Sequence, residues 1–326
     1  MTSVRRIVVR QTGGPEVLER EEFDVPAAGP REARVRITAS GVNFIDTYHR
    51  SGLYKLPLPT GLGTEFAGVV EAIGEDVQGI KPGQRVAARL ANPGSYATHA
   101  LVDAGLLIPV PDSISDEVAA AATLKGLTAW MLLEKCAKLQ QGQSVLVHAA
   151  AGGVGSFLVP WAKALGAMVI AHSGSTQKAD RASRLGADHS FTGSFDDLPG
   201  QVREATGGRG ADVVLDGVGA ASWTASLTSV AKRGLIASFG NASGPAPAIN
   251  PLDLMRAGSI FLTRPTLFDY TVTPEELAEG SQRLFGLIVD GTLQVEIGQR
   301  FSLADAAEAH RALESRGTVG STILIP

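Results

Sequence analysis

A run of small residues directly after a short apolar segment constrains this chain more than any other feature. Residues 145–147 are apolar and largely β-branched, which is typical of a buried strand in a parallel sheet. Ala149, Gly152 and Gly155 then follow at regular spacing, ahead of a helical pattern. Small residues at this spacing let a phosphate reach the backbone N–H groups of a helix N-terminus. The pattern predicts a dinucleotide-binding turn, with a tight strand-to-helix turn that binds nothing as the alternative.

Composition and charge narrow the class of protein. At 326 residues the chain is long enough for two domains, and its 44% hydrophobic and 19% charged residues are ordinary for an α/β protein. The net charge of −4, without a basic cluster, disfavours nucleic-acid binding as the main role. No run approaches the ~18 apolar residues of a membrane span, and the first residues lack the apolar stretch of a signal peptide. We therefore expect a cytoplasmic protein without a membrane segment.

The hydrophobic pattern changes character twice along the chain. Residues 33–39 alternate between apolar and polar side chains, and the Gly and Pro turns around them indicate a small β-rich domain. Apolar strand candidates then alternate with helical segments, which predicts a doubly wound parallel α/β sheet over residues 123–264. Residues 265–326 are too few for a separate domain, so we expect them to join residues 1–122. The predicted strands of the parallel sheet begin at Val145, Val169, His189, Val213, Leu235 and Ile260.

The residues after the second predicted strand favour a phosphorylated dinucleotide. NAD-binding units carry an acidic residue there that binds the ribose 2′-hydroxyl, and such an acid would repel a 2′-phosphate. In this chain no carboxylate occurs before Asp180. Lys178 instead supplies a cation, and Ser173 or Ser175 a hydroxyl donor, which predicts NADP(H). The alternative for Lys178 is a solvated lysine at the start of a helix.

Short motifs of one enzyme family occur in the same order along the whole chain. They lie at residues 13–18, 43–48, 51–54, 61–65, 124–128, 148–155, 161–167, 238–241, 263–265 and 313–316. Through these motifs the chain resembles the zinc-free quinone oxidoreductases of the medium-chain dehydrogenase/reductase superfamily, and among them the bacterial NADPH:quinone reductases. The resemblance implies a GroES-like β-rich catalytic domain, a Rossmann domain, and a homodimer whose cofactor-binding sheets join edge to edge.

Two positions separate this chain from the zinc-dependent members of that superfamily. The resemblance places Asn43 where those enzymes have a cysteine ligand, and Thr64 where they have a histidine ligand. Cys136 is the single cysteine of the sequence. Because zinc requires three or four N or S ligands, neither a catalytic nor a four-cysteine structural zinc site is expected. A quinone is electron-poor and accepts a hydride directly, so it does not need the Lewis acid that alcohol oxidation uses.

The resemblance assigns cofactor contacts to residues in both predicted domains. Two departures from close relatives bear on them. Gly193 stands where relatives have a tyrosine near the adenosine 2′-phosphate, and Gly217 stands where they have a serine, so we expect a lower affinity for NADPH. The assigned contacts, together with those of the glycine turn and the second strand end, are Asn43, Tyr48, Thr128, Gly152, Gly153, Val154, Gly155, Ser173, Gly174, Ser175, Lys178, Phe239, Asn241 and Arg264.

Three polar residues are the candidates for catalysis. Hydride transfer from a nicotinamide needs close stacking against the acceptor and a donor near the acceptor oxygen, where negative charge develops. Asn43 and Tyr48, on the loop expected in place of the zinc ligands, are the candidate donors. Arg264 holds the cofactor or lines the substrate site, and Tyr54 forms a wall of the substrate pocket.

The residues around that loop also have structural interpretations. Tyr48 can pack with its hydroxyl in water, and Asn43 can cap a turn. Asp46 fits a charge at a helix start better than a catalyst. Glu65 fits a carboxylate that binds nearby backbone. For His49, a solvated loop histidine is the expectation.

The sequence favours one function and leaves two alternatives open. The leading hypothesis is an NADPH-dependent oxidoreductase that transfers a hydride to a quinone without a metal. An NADPH-dependent reductase of enones or 2-alkenals would use the same geometry with a differently shaped pocket. The third hypothesis is a protein that binds NADPH without significant turnover. Some relatives bind single-stranded RNA, but the acidic balance of this chain argues against that partner.

Overall fold

The computed structural model describes residues 3–315 and 317–326, so Arg316, the last residue of the final motif, lies outside the described residues. The chain forms two compact units, which are Met1–Leu127 with Thr271–Pro326, and Thr128–Tyr270. The domain boundaries expected from the sequence, after residues 122 and 264, each lie a few residues before those of these units.

Strands dominate the first third of the chain, and strands and helices alternate in its middle. The described strands are β1 (Ser3–Val9), β2 (Leu18–Asp24), β3 (Glu32–Val42), β4 (Thr60–Gly61), β5 (Glu65–Ile73), β6 (Arg85–Arg89), β7 (His99–Asp103), β8 (Leu107–Pro109), β9 (Ser144–His148), β10 (Met168–Ser173), β11 (His189–Thr192), β12 (Ala211–Asp216), β13 (Val230–Ser238), β14 (Phe261–Thr263), β15 (Ile297–Ser302) and β16 (Ser321–Ile325). The α-helices are α1 (Phe44–Ser51), α2 (Asp116–Trp130), α3 (Gly155–Ala164), α4 (Thr176–Arg184), α5 (Leu198–Ala205), α6 (Trp223–Ser229), α7 (Pro251–Arg256), α8 (Pro274–Val289) and α9 (Ala306–Glu314). A π-helical turn, Met131–Cys136, continues α2, and short 3-10 turns cover Pro15–Val17, Ala104–Leu106, Leu267–Tyr270 and Leu303–Asp305. Within the described residues, no helix has both the length and the apolar character that a bilayer crossing requires.

The second unit is built on a parallel sheet. Its strand order is β11-β10-β9-β12-β13-β14, and every neighbouring pair is parallel. Leu146, Val214 and Ile236 lie fully buried in its core, as expected of apolar strands covered on both faces. The chain order reverses between the adjacent strands β9 and β12, and a sheet of this order binds ligands at the carboxyl ends of those strands. The predicted doubly wound parallel sheet is confirmed.

The strand starts agree with the sequence-based positions to within a residue or two, except for the fifth strand of this sheet. β13 begins at Val230 rather than at Leu235. Lys232 and Arg233 are exposed in its first half, and Arg233 adopts a φ of 59°. This charged pair interrupts the apolar run, which is why the sequence pattern begins too late.

The first unit is β-rich. A seven-stranded sheet has the order β15-β16-β3-β5-β6-β8, with β7 paired to β3, and a three-stranded sheet has the order β2-β1-β4. Along β3 the side chains of Ala33, Val35 and Ile37 are buried, while those of Arg34 and Arg36 between them are not. This alternation confirms the half-buried strand predicted there.

Residues 271–326 complete the sheet of the first unit. β16 pairs with β3 in antiparallel and with β15 in parallel orientation. α8 begins with a capping box, in which the Glu276 N–H donates to Thr273 Oγ1 at 3.2 Å and the Thr273 N–H donates to Glu276 Oε2 at 3.1 Å. Gly291, with a φ of 84°, follows the end of the helix, where a left-handed residue commonly terminates a helix.

Candidate active site

The glycine turn predicted from the sequence follows β9 and leads into α3. Ala149 adopts a left-handed conformation, with a φ of 51°, and its carbonyl accepts the Gly152 N–H at 2.8 Å. The Ala150 N–H donates to the carbonyl of His172 on β10 at 3.1 Å, which ties the turn to the neighbouring strand. α3 then begins at Gly155. The turn therefore places the first N–H groups of a helix at the carboxyl end of the sheet.

Close backbone packing requires glycine at the third small position. A Cβ atom on Gly155 would lie 2.4 Å from the carbonyl oxygen of Ala149 and 2.6 Å from that of Ala150. A Cβ on Gly152 would lie 3.0 Å from the same Ala149 oxygen. These are backbone atoms, so they cannot move aside as a flexible side chain would. Residues 153–154, both predicted contacts, complete the turn immediately before α3.

A buried aspartate organises the loop after β12. Asp216 is fully buried and accepts the N–H groups of Val218 at 2.8 Å and Gly219 at 3.1 Å. It also accepts the hydroxyls of Ser222 at 2.8 Å and Ser226 at 2.7 Å. These donors offset the cost of removing a carboxylate from water. The backbone beside the carboxyl end of β12 is thereby fixed, a role that sequence reasoning did not assign to Asp216.

His148, the last residue of β9, is linked to the same aspartate. Its Nε2 lies 2.9 Å from the hydroxyl of Ser226, which donates to Asp216. The rings of His172 and Phe195 pack edge-on against it, with centroids 5.9 and 5.6 Å away. Burial lowers the pKa of His148 to about 4, while the nearby Asp216 acts in the opposite direction. The imidazole is therefore neutral at pH 7 and donates its Nε2–H to Ser226.

The end of β10 carries the residues predicted to bind a 2′-phosphate. Ser175 is exposed and caps α4, and its hydroxyl accepts the Lys178 N–H at 3.4 Å. A Cβ on Gly174 would meet no atom within 4 Å, nor would one on Gly193, whose φ is 108°. Ser173 is buried. Ser175, rather than Ser173, therefore presents an accessible hydroxyl beside an open space.

Arg264 is hydrogen bonded to the backbone of the segment that follows β13. Its Nη1 donates to the carbonyl oxygens of Ser238 and Gly240, both at 3.0 Å. The same nitrogen lies 3.2 Å from the Ser238 hydroxyl. Arg264 therefore positions the short segment that contains the predicted contacts Phe239 and Asn241.

Packing explains the glycine at position 217. A Cβ on Gly217 would lie 2.9 Å from the ring of Phe239. The Phe239 N–H donates to the carbonyl of Asp216 at 2.8 Å, which fixes the backbone from which that ring projects. Thr128, the remaining predicted contact of this unit, lies near the end of α2.

In the first unit Asn43 lies between two buried carboxylates. It is the N-cap of α1, and its backbone N–H donates to Asp46 Oδ2 at 2.8 Å. Its side-chain Nδ2 donates to Glu65 Oε1 at 2.8 Å. Glu65 also accepts from Lys125 Nζ at 3.0 Å and from the Leu124 N–H at 2.6 Å. Asn43 therefore caps a helix while a carboxylate holds its amide.

Asp46 connects the start of α1 to a buried tyrosine and a buried histidine. Its Oδ1 accepts the Thr64 hydroxyl at 2.9 Å, and its Oδ2 accepts the Tyr96 hydroxyl at 3.0 Å. Tyr96 Oη lies 3.1 Å from His310 Nε2, and His310 Nδ1 lies 3.0 Å from Arg50 Nη1. A guanidinium only donates, so Nδ1 accepts and Nε2 carries the proton. Each group therefore donates to the next one: Arg50 donates to His310, His310 to Tyr96, and Tyr96 to Asp46.

Burial sets the protonation of these groups. It raises the pKa of Asp46 to about 7, although three hydrogen bonds oppose the shift, and it raises the pKa of Tyr96 well above its ordinary value. Burial, assisted by Arg50, lowers the pKa of His310 to about 3. Arg50 is balanced by Glu314, whose Oε1 lies 2.6 Å from its Nη2. His310 is therefore neutral at pH 7, and Asp46 is a helix-start acid that is buried rather than solvated.

Tyr48 and Tyr54 pack together at α1. Tyr48 lies within this helix, so its expected place on a loop is wrong, and its ring meets that of Tyr54 edge-on at 5.3 Å. His49 also lies in α1, and burial lowers its pKa to about 4, so the expected solvated loop histidine is wrong as well. The helix runs only from the cap Asn43 to the left-handed Gly52. Its apolar periodicity is too short to stand out from the surrounding strands.

The donor set of this unit does not fit zinc. Asn43 and Thr64 present an amide and a hydroxyl, and both are hydrogen bonded to buried carboxylates. Across residues 3–315 and 317–326, no group of three or more His, Cys, Asp and Glu side chains is arranged to hold a metal ion. Zinc sites are built from three or four such ligands. The residues present supply hydrogen bonds rather than metal coordination.

Two domain families and full-length relatives match the chain. The alcohol dehydrogenase GroES-like domain matches residues 29–112, and the zinc-binding dehydrogenase family matches residues 153–284. A quinone oxidoreductase of Pseudomonas aeruginosa is 48% identical over 323 residues, which cover 99% of each chain. The crystal structure of Escherichia coli quinone oxidoreductase complexed with NADPH matches with a TM-score of 0.95 at 44% identity, over 99% of this chain and 100% of that one. The chain belongs to the quinone oxidoreductases of the medium-chain dehydrogenase/reductase superfamily.

Membership of the quinone oxidoreductases confirms the fold expected from the motifs, a GroES-like domain with a Rossmann domain. The name of the family that matches residues 153–284 mentions zinc, but the amide of Asn43 and the hydroxyl of Thr64 do not fit that metal. A further relative is the 2-haloacrylate reductase of a Burkholderia species. It is 42% identical over 331 residues, which cover 99% of each chain.

Replacing Gly155 by alanine should destabilise the glycine turn. The added Cβ meets backbone oxygens that cannot move aside, so we expect the free energy of unfolding to fall by about 1–3 kcal/mol. Gly174→Ala is the matched control, because its Cβ would meet no atom within 4 Å, and it should cost less than about 0.5 kcal/mol. Urea unfolding followed by circular dichroism measures both. Equal losses in the two variants would contradict the packing argument.

His310 should make stability depend on pH in a defined direction. Its pKa falls from 6.5 to about 3 on folding, so the unfolded chain binds a proton that the folded chain does not, and stability is lost as the pH falls through this window. Relative to His310→Gln, which keeps one donor and one acceptor, the wild-type free energy of unfolding should fall by about 1.4 kcal/mol per pH unit within the window. Urea unfolding at stepped pH gives the difference. Above the window the two curves should run parallel, and parallel curves throughout would refute the neutral histidine.

Proposed function

We propose that this protein is an NADPH-dependent quinone oxidoreductase that transfers a hydride from the nicotinamide to a quinone without a metal ion. The observation that carries the proposal is the full-length similarity to a quinone oxidoreductase crystallised with NADPH, at 44% identity and a TM-score of 0.95. The glycine turn of the second unit and the polar residues of the first supply groups that suit this reaction. An electron-poor quinone accepts the hydride directly, so metal coordination is not needed.

The second unit has the features of a dinucleotide site. The N-terminus of α3 suits a pyrophosphate, and Gly155 leaves no side chain in its way. The Ser175 hydroxyl and the Lys178 ammonium suit a 2′-phosphate at the end of β10. Gly174 and Gly193 border open space there. The bound cofactor supplies the hydride, and these residues bind and orient it.

Asn43 and Tyr48 are the proposed donors to the acceptor oxygen of the quinone. Negative charge develops on that oxygen as the hydride arrives, and a donor held in place beforehand stabilises it. One N–H of the Asn43 amide is held by Glu65, which leaves the second for a ligand. Tyr54, packed against Tyr48, is proposed as a wall of the substrate pocket. Arg264 is proposed to orient the cofactor through the segment that it fastens after β13.

A reductase of conjugated enones or 2-alkenals is the second candidate. It is favoured by the similarity to a 2-haloacrylate reductase, at 42% identity over 99% of each chain. An acrylate carries a carbon–carbon double bond conjugated to a carboxyl group. A hydride added to that double bond places negative charge toward an oxygen, as quinone reduction does, so the same donors would serve both substrates.

We further propose a cytoplasmic homodimer, formed through the edge of the parallel sheet. β14 ends the strand order of that sheet among the described residues. Phe261 on β14 is 65% exposed, and Leu252 and Met255 on α7 are 50% and 60% exposed. Exposed apolar groups at a sheet edge favour pairing with another chain. Two such edges from identical chains would extend the sheet across the dimer.

NADPH oxidation with different acceptors tests the proposed function. At a fixed NADPH concentration we expect 1,4-benzoquinone to raise the rate of oxidation roughly tenfold or more above the rate without an acceptor, because a quinone takes the hydride directly. We also expect the quinone to react faster than a 2-alkenal. Stopped-flow absorbance measures the rates. A faster reaction with the alkenal would favour the second candidate, and NADPH binding without oxidation by any acceptor would identify a binding protein.

Replacing Lys178 by alanine tests the phosphate assignment. Loss of a cation–phosphate pair should weaken NADPH binding by roughly tenfold or more and leave NADH binding within about twofold. Fluorescence titration measures both affinities. Lys232→Ala is the matched control, since Lys232 is an exposed lysine of the same unit, and it should alter neither. Equal losses of NADPH and NADH affinity in the Lys178 variant would refute the assignment.

A further inference from the structure

We infer that the buried ion pair of Glu65 and Lys125 positions the amide of Asn43 and so determines which of its polar atoms faces the ligand. The inference rests on the proposed function, in which Asn43 contacts the cofactor or the quinone. Glu65 and Lys125 are positioning residues in this role, because they act through Asn43.

Three donors converge on the Glu65 carboxylate at the start of β5. Its Oε1 accepts from Asn43 Nδ2 at 2.8 Å and from Lys125 Nζ at 3.0 Å. Its Oε2 accepts the backbone N–H of Leu124 on α2 at 2.6 Å. Glu65 is 0% exposed, Lys125 5% and Asn43 7%. The bonds are therefore shielded from water, where charge-assisted hydrogen bonds are strongest.

The neighbouring strand leaves room for this carboxylate. A Cβ on Gly41 of β3 would lie 2.1 Å from Glu65 Oε1 and 2.5 Å from the carbonyl oxygen of Ala120. Any other residue at position 41 would displace the acid or the helix. The glycine at position 41 therefore leaves a space beside Asn43 that the Glu65 carboxylate fills.

The chemistry of the carboxylate fixes the orientation of the amide. A carboxylate held by Lys125 only accepts hydrogen bonds, so the Asn43 nitrogen must face it, with one N–H donated to Glu65 and the second N–H left for the ligand of the proposed function. A glutamine at position 65 offers one acceptor oxygen to three donors. If that oxygen stays toward Asn43 and Lys125, the glutamine NH₂ meets the Leu124 N–H; if it turns toward Leu124, the NH₂ meets both Asn43 and Lys125. In the second orientation the Asn43 amide must turn over to accept from the glutamine, and it then presents an oxygen where the ligand met an N–H.

Stability alone does not account for the ion pair. Buried ion pairs commonly stabilise a fold no better than apolar residues of the same volume. Apolar residues could not orient a polar side chain, so this is a role in which they could not replace the ion pair. Glu65 was expected from the sequence to bind nearby backbone, and its bond to Leu124 does so, but its other oxygen serves Asn43 and Lys125.

A double-mutant cycle between Glu65→Gln and Asn43→Ala tests the inference. We expect Glu65→Gln to lower kcat/KM for 1,4-benzoquinone roughly tenfold, and to change kcat and KM in the same proportion as Asn43→Ala does. In the Asn43→Ala background, Glu65→Gln should have no further effect beyond about twofold, because the group through which it acts is gone. Steady-state kinetics and fluorescence titration of NADPH measure the effects, and thermal melting shows whether each variant is folded.

Controls separate positioning from a structural role. Glu71→Gln changes an acid on the same strand that lies near Arg34 and His99 at a partly exposed site, and it should stay within about twofold of the wild type. If Glu65→Gln does not fold, the uncharged pair Glu65→Gln with Lys125→Met replaces it in the cycle.

Two results would overturn the positioning role: losses that multiply in the double variant, or a wild-type rate for Glu65→Gln. A wild-type protein that does not reduce quinones would overturn the proposed function alone. The cycle would then be measured on NADPH affinity. In that case the positioning role would be overturned if Glu65→Gln changed the NADPH affinity equally with and without Asn43, or did not change it at all.

Discussion

The saturation of buried carboxylates by hydrogen-bond donors is the constraint on which the candidate site of each unit depends. A carboxylate removed from water costs several kcal/mol unless donors replace its hydration. Asp216 in the second unit, and Asp46 and Glu65 in the first, are fully buried. Each accepts hydrogen bonds from loops or helix starts that a different backbone path would leave unpaired. The segments that carry the candidate donors are thereby held in place before a ligand binds, which is the condition for electrostatic stabilisation of developing charge.

Prediction from sequence succeeded for the second unit because its determinants are local. Strand, small-residue turn and helix follow one another within a few residues, and the apolar runs of parallel strands stand out from the helices between them. The small residues Ala149, Gly152 and Gly155 lie where backbone atoms approach closely. Only the start of β13 is misplaced, because Lys232 and Arg233 break its apolar run.

The polar core of the first unit could not be predicted, because its residues are far apart in the chain. Tyr96 lies 50 positions from Asp46, and His310 lies 260 positions from Arg50, yet both pairs are hydrogen bonded. No periodicity or spacing indicates such pairs. His49 is also buried, whereas the sequence predicted a loop histidine in contact with water. Fold class and the glycine turn therefore follow from the sequence, whereas the network of buried acids requires the structure.

The backbone at Gly193 limits which residues the connection after β11 can hold. Volume is no obstacle, since nothing lies within 4 Å of the missing Cβ. Its φ of 108°, however, lies where residues other than glycine are strained. A tyrosine there needs the connection after β11 to follow another path. The side chain at position 193 is thus tied to the shape of a loop, and a single substitution does not exchange it.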